Sequence, residues 1–340
     1  MKVTKSHIYE RALFTETVPS MRYDGSIPFG EWQAAARAKL CELLGLPLER
    51  CAHELTVDYE REHEEYREYR FSVQTEPGYY VPCHLLVPNE ASGKVQLTLC
   101  LMGHSMGMHI GLGVAKTERD ERTLAEWPDR ALALCAVKQG RAALVLEARN
   151  FGEASVEGYG VTCTEAAKTA LLIGRTVIGE RVWDAMRVLD AVSERFDFLD
   201  LTELICTGNS GGGTATYYLS CLDERIKISA PSCAVCEFES SIAAVPHCMC
   251  NNVPRIKKYF EMGDLGGMIA PRQLIIAAGK FDPDFPISGT KASFARIRAL
   301  YSAAGAEDNC RLLVGENAHY YYADLIWNRI NEIMKLAQCP

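Results

Sequence analysis

"LICTGNSGGGTATYY", Leu204 to Tyr218, is the stretch that decides how this chain folds. A short apolar run ends in Gly208. Ser210 follows, flanked by Asn209 on one side and Gly211, Gly212 and Gly213 on the other, and the residues after them can start a helix. The spacing Gly208-x-Ser210-x-Gly212 between strand and helix predicts a sharp turn that lifts a serine clear of a sheet. Side chains at positions 208 and 212 would collide with the neighbouring strand and helix, and glycine relieves both contacts. The N–H of Gly211, at the helix start, is expected to face the oxygen of a carbonyl under attack. A phosphate-cradling loop fits less well, because the stretch has neither G-x-x-x-x-G-K-[ST] nor G-x-G-x-x-G spacing.

Outward from this turn the same pattern repeats. Short apolar runs stand at 95–103 (VQLTLCLMG), 142–149 (AALVLEAR), 226–234 (IKISAPSCA), 273–279 (QLIIAAG) and 310–316 (CRLLVGE). Helical periodicity occupies the gaps, in RVWDAMRVLDAVSERF after Glu180, GTKASFARIRALYSAAG after Ser288, and YADLIWNRINEIMKLA near the C-terminal end. Continuous apolar strands alternating with helices predict an α/β fold with a mostly parallel sheet covered on both faces. We expect one such domain over residues 51–340, preceded by an N-terminal helical extension over residues 1–50. In the extension, Trp32, Ala35, Ala36, Leu40, Leu43 and Leu44 recur at helical spacing until Gly45 and Pro47 stop the helix. Residues 54–75 read as a single extended run on an exposed antiparallel edge, their mixed charges forming a solvated strand face, and residues 79–88 read as a second run.

Composition narrows the function classes. The 340 residues carry a net charge of −8, which argues against nucleic acid as a partner. No apolar run approaches the length of a membrane span or a signal peptide, so a cytoplasmic protein without a membrane partner is expected. Fourteen cysteines scattered through a chain of this size read as reduced, mostly buried thiols.

A serine nucleophile needs a base, and the base an orienting acid, in the chain order serine, acid, histidine. Only His247 and His319 follow Ser210. His319 comes just after the last apolar strand, where a catalytic loop belongs. His247 sits in an irregular stretch off the strand ends. For the acid, Asp282 is favoured in the segment after the penultimate strand, with Asp284 and Glu237 also available. The second oxyanion donor should be a backbone N–H of His104 or Ser105, in the loop after the 95–103 strand. His104 could equally offer its side chain to substrate or to a structural hydrogen bond.

The matching pieces stand in order from about residue 90 onward: GHSMGMH, EARNFGE, GRTVIGERVWDAMRVLD, GNSGGGTAT, APRQLIIAAGKFDPDFPI and GENAHYYYADL. In these the chain resembles the α/β-hydrolase superfamily, and more narrowly the acetyl xylan esterases and dienelactone-hydrolase-like bacterial esterases. The 29–45 helix is similar to the leader helix of these esterases. The resemblance implies Ser210, Asp282 and His319 as the catalytic triad and esters with small acyl groups, acetylated sugars among them, as substrates. It implies no metal and no organic cofactor, and related esterases often form homo-oligomers. The chain departs from dienelactone hydrolase proper in having serine, not cysteine, at the turn. A catalytically silent ligand-binding relative and a small peptidase on the same fold are the alternatives.

One cluster stands apart. Cys233-x-x-Cys236 and His247-Cys248-x-Cys250 crowd five metal-ligand side chains into one segment. The spacing is not that of paired zinc knuckles, so structural thiols and no metal are expected. The segment 233–254 is expected to wall the substrate pocket through Phe238, Asn251 and Asn252. Tyr320, beside His319, would line the pocket or pack.

Overall fold

The computed structural model describes residues 4–91 and 93–338; residues 1–3 of the expected extension and Cys339 lie outside them. Among the described residues nine strands form one sheet: β1 (Leu55–Glu62), β2 (Tyr66–Glu76), β3 (Tyr79–Pro88), β4 (Val95–Leu101), β5 (Ala142–Leu146), β6 (Leu199–Asn209), β7 (Ile226–Ser232), β8 (Gln273–Gly279) and β9 (Cys310–Gly315). Their order is β1-β2-β3-β5-β4-β6-β7-β8-β9. The strands from β5 through β9 pair in parallel, whereas β1, β2 and β3 join antiparallel at one edge.

The apolar runs are continuous because both faces of the sheet are buried, and successive side chains go to opposite sides. Leu85, Leu99, Leu144, Leu204 and Leu274 enter one core, with the helices Phe29–Leu44, Val177–Arg195, Gly211–Leu222 and Ile287–Ala303. Their chain neighbours Leu86, Cys100, Val145, Ile205 and Ile275 enter the other, with Leu132–Val137 and Ala323–Gln338. This is a three-layer α/β/α arrangement.

Residues 54–75 do not form the single run expected from their charge pattern. They fold as a hairpin, β1 against β2, paired from Leu55↔Val73 to Glu62↔Arg67 with a register shift between Val57 and Tyr59. The turn at His63 contains neither glycine nor proline, so nothing in the local sequence announced it; it is closed by His63 N–H on the Tyr66 carbonyl (2.8 Å) and by Asn89 Nδ2 on the His63 carbonyl (2.8 Å). The long helix also begins earlier than its periodicity suggests, because Thr176 caps it by accepting from Gly179 N–H at 3.1 Å.

The Phe29–Leu44 helix is embedded in the main core. Trp32, Ala36, Leu40, Leu43 and Leu44 are buried, Gln33 Nε2 donates to the carbonyls of Gly267 and Ala270 at 2.7 Å each, and Arg37 donates to Cys221 and Met268. The Ser6–Glu16 helix buries none of its residues and touches the body through Arg11 on the Ala243 carbonyl and Thr15 on Glu239. Among the described residues, no helix is long and apolar enough to cross a membrane.

Candidate active site

The turn at Ser210 has the backbone its sequence demands. Ser210 sits at φ 56° and ψ −123°, between the end of β6 and the Gly211–Leu222 helix. That conformation costs a non-glycine residue about 1–3 kcal/mol. It is held by the Ser210 N–H on the Ser232 carbonyl (2.9 Å) and by Thr214 N–H on the Ser210 carbonyl (2.8 Å). A Cβ on Gly208 would come within 2.5 Å of Gly212 backbone, and one on Gly212 within 1.9 Å of the Leu101 carbonyl. Strand β4, strand β6 and the helix therefore meet only because neither position has a side chain.

Ser210 provides no side-chain cap for its helix. The first N–H groups of the helix, Gly211 among them, have no intrahelical partner, so the helix start beside the serine is suited to an anion. The loop after β4 lies against the same point: a Cβ on Gly103 would stand 3.1 Å from Ser210 Cβ, and one on Gly211 would stand 2.7 Å from the His104 ring. Of the two expected donors in this loop, Ser105 is spent locally, its N–H on the Gly103 carbonyl at 2.7 Å in a tight turn. The Ser105 hydroxyl is likewise turned inward, to Gly103 and Gly107 carbonyls. Among the described residues, the His104 N–H makes no backbone hydrogen bond.

Beneath the loop is a carboxyl that sequence reasoning missed. Glu147, after β5, is 1% exposed and accepts from the N–H groups of Met108 (3.0 Å) and Glu153 (3.1 Å). Burial raises its pKa to about 7 despite these two donors. Gly107 and Gly152 pack against it closely enough that a Cβ on either would touch its carboxylate.

Asp282 and His319 follow the ends of β8 and β9. His319 Nδ1 donates to Asp282 Oδ2 at 2.9 Å, and Asp282 Oδ1 accepts from the N–H groups of Asp284 (2.9 Å) and Phe285 (3.0 Å). Burial works against ionisation of Asp282, but the hydrogen bond and charge of His319 prevail, and its pKa is held below the ordinary value. The carboxylate only accepts, so Nδ1 carries the hydrogen and Nε2 is left as a base. Asp284 is exposed and stands 3.9 Å from the ring, beyond hydrogen-bond range. Glu237 lies elsewhere, its pKa raised by burial first and by Glu261 second. Phe285 stacks on the His319 ring at 5.9 Å and also meets His247. His247 is committed to Ser241 Oγ and to the Asp284 carbonyl. Among the described residues, Ser210 Oγ makes no hydrogen bond to His319; such contacts are often long until substrate tightens them.

The structure does not use Phe238, Asn251 and Asn252 as expected. They line a cavity of about 360 Å³ beneath the Ser6–Glu16 helix, with Phe14, Ile242 and Val253, and none of Ser210, Asp282 and His319 lines it. Phe238 is 3% exposed and belongs to the main core. Tyr320 is partly buried with its ring against Tyr322, and its carbonyl accepts from Ser232 and Cys233. The cysteine cluster is divided. Cys233 joins Asp282 and His319, Cys236 turns to the Pro286 carbonyl, and Cys248 and Cys250 face the other way, toward His104 and Cys163. The described cysteines are free thiols.

A mostly parallel sheet with a strained serine between strand and helix, and an acid and a histidine after the last two strands, defines the α/β-hydrolase class. Residues 12–312 match the sequence profile of the Abhydrolase family, and the chain belongs to that family. YtaP of Bacillus subtilis (strain 168), which carries a provisional hydrolase name, is 26% identical over 160 residues, 46% of this chain and 53% of that protein. The chain therefore matches about half the length of this curated relative. In structure it is similar to a provisionally named acetyl xylan esterase from Bacteroides fragilis, with a TM-score of 0.81 and 18% identity over 98% of this chain and 96% of the other. A glucuronoyl esterase from Solibacter usitatus superposes with a TM-score of 0.70 and 13% identity over 94% and 97% of the two chains. At such identities the likeness is one of fold.

Proposed function

We propose that this chain is a serine hydrolase of carboxylic esters with small acyl groups. The observation that carries the reading is the strained backbone of Ser210, set at the strand ends that also present the His319–Asp282 pair. The esterase names of its structural neighbours agree with it. In the proposed cycle, His319 Nε2 takes the Ser210 proton as Oγ attacks the ester carbonyl. Asp282 keeps the imidazole in the required tautomer and balances the imidazolium. The Gly211 and His104 N–H groups receive the oxyanion, each worth about 10²–10³ in kcat. His319 then protonates the departing alcohol, and water, activated by the same nitrogen, releases the acid from Ser210.

The test is hydrolysis of p-nitrophenyl acetate, butyrate and octanoate by the native chain and by Ser210→Ala. Turnover that declines with acyl length and disappears in Ser210→Ala supports the reading. Activity that survives the substitution removes Ser210 from the mechanism, and a folded chain inert toward all three esters leaves a ligand-binding role.

A further inference from the structure

His104, Cys163, Cys248 and Cys250 come from three separate parts of the chain: the loop after β4, the start of the Cys163–Leu172 helix, and the turn around Met249–Asn251. Each offers one ligand atom, and the four atoms all lie within 4.8 Å of one another. His104 Nε2 is 3.1 Å from Cys250 Sγ and 4.0 Å from Cys163 Sγ. Zinc bonds of about 2.3 Å to sulfur and 2.0 Å to nitrogen set tetrahedral ligand atoms about 3.5–3.8 Å apart, so small side-chain shifts suffice. Two of the four ligands are buried and two half-buried, which suits a closed site.

A second observation is independent of this spacing. Arg181 is 5% exposed, lies over the Phe151 ring at 4.2 Å, and donates from Nε and Nη2 to the Arg149 carbonyl. Among the described residues no carboxylate pairs with it; its guanidinium instead reaches Cys163 Sγ at 3.1 Å. A buried cation requires an anion. Three neutral thiols supply none. Three thiolates and a neutral imidazole around a divalent ion carry one net negative charge, which Arg181 balances.

We propose that His104, Cys163, Cys248 and Cys250 form a tetrahedral zinc site, with Arg181 as its counter-charge. On coordination the three thiol protons pass to solvent and Nε2 of His104 becomes a ligand, which fixes the ring hydrogen on Nδ1, beside the Gly211 backbone. The metal thus fastens the loop that holds the His104 N–H. That last consequence rests on the esterase reading; the metal site does not.

The experiment measures zinc in the tag-free full-length protein, with a thiol count on the denatured, unreduced chain. The expected result is about one zinc per chain and all fourteen thiols present. Cys163→Ser and Cys250→Ser should each retain less than about a tenth of the metal, while Cys236→Ser and Ser210→Ala retain it fully. Because a ligand variant can misfold, Co²⁺ exchanged into the native protein provides a second readout. Tetrahedral d–d bands with thiolate-to-cobalt charge transfer support the site. A metal-free chain that develops no such spectrum overturns the proposal, as does zinc retained in both ligand variants, or a disulfide among Cys163, Cys248 and Cys250.

Discussion

His319 donates to Asp282 across 2.9 Å, while Asp284, two residues further on, stands 3.9 Å from the same nitrogen and faces solvent. Both aspartates were available in the sequence; only one is buried and held by two backbone N–H groups. Asp282→Asn should therefore lower kcat for p-nitrophenyl acetate by about 10⁴ through the wrong imidazole tautomer. Asp284→Asn should stay within about tenfold of the native value. Steady-state kinetics of the two variants decide, and the reverse ranking would transfer the orienting role to Asp284.

Glu147 makes stability depend on pH. Its folded pKa of about 7 lies above the ordinary 4.5, because burial outweighs its two donors. The native state then binds the proton more tightly than the unfolded chain. The contribution is complete below about pH 4.5 and is lost as pH rises through 7, amounting to about 3 kcal/mol. Chemical denaturation of native protein and Glu147→Gln between pH 5 and 8 isolates this share: the difference between the two stability curves should slope across that window. A constant difference would show that Glu147 does not titrate there.

Gly212 of the turn contrasts with a glycine outside it. Gly212→Ala places a methyl 1.9 Å from the Leu101 carbonyl and should cost more than about 4 kcal/mol, enough to threaten folding. Gly30, in the Phe29–Leu44 helix, has open space at its Cβ position. Gly30→Ala should stabilise by about 0.5–1 kcal/mol. Thermal denaturation of both compares steric closure with helix propensity in one protein. A well-folded Gly212→Ala of native melting temperature would mean that β4 and the turn can separate freely.

Phe238 is a packing residue by its burial. Phe238→Ala should lose about 3–5 kcal/mol of stability yet leave kcat/KM for p-nitrophenyl acetate within about threefold below the melting transition. A large rise in KM with unchanged stability would return Phe238 to the substrate pocket.

What could be read from the chain was what local geometry enforces. The Ser210 turn needs glycine at 208 and 212, and the strands around it are apolar on both faces, so the class of fold and the strained turn at Ser210 were legible. The hydrogen bond between Asp282 and His319 was legible because both residues follow the last two strands. The β1–β2 hairpin was not, since its turn at His63 is made of the same charged residues as the strands. Phe238 was misread because an aromatic near a strand end looks alike whether it faces a pocket or a core. The grouping of His104 with Cys250 depends on contacts 146 residues apart, which no spacing rule reports; the visible cysteine pairs were read as structural thiols.

The embedding of the Phe29–Leu44 helix bears on how the chain is made. Gln33 hydrogen-bonds to Gly267 and Ala270, 234 and 237 positions later, and Trp32 packs on Gly267. The helix is translated long before its resting place exists. At about 5–20 residues per second its apolar stripe waits on the order of tens of seconds outside the ribosome. Chaperone occupancy of the nascent chain should thus begin as this helix emerges and end only after residue 270 has cleared the exit tunnel.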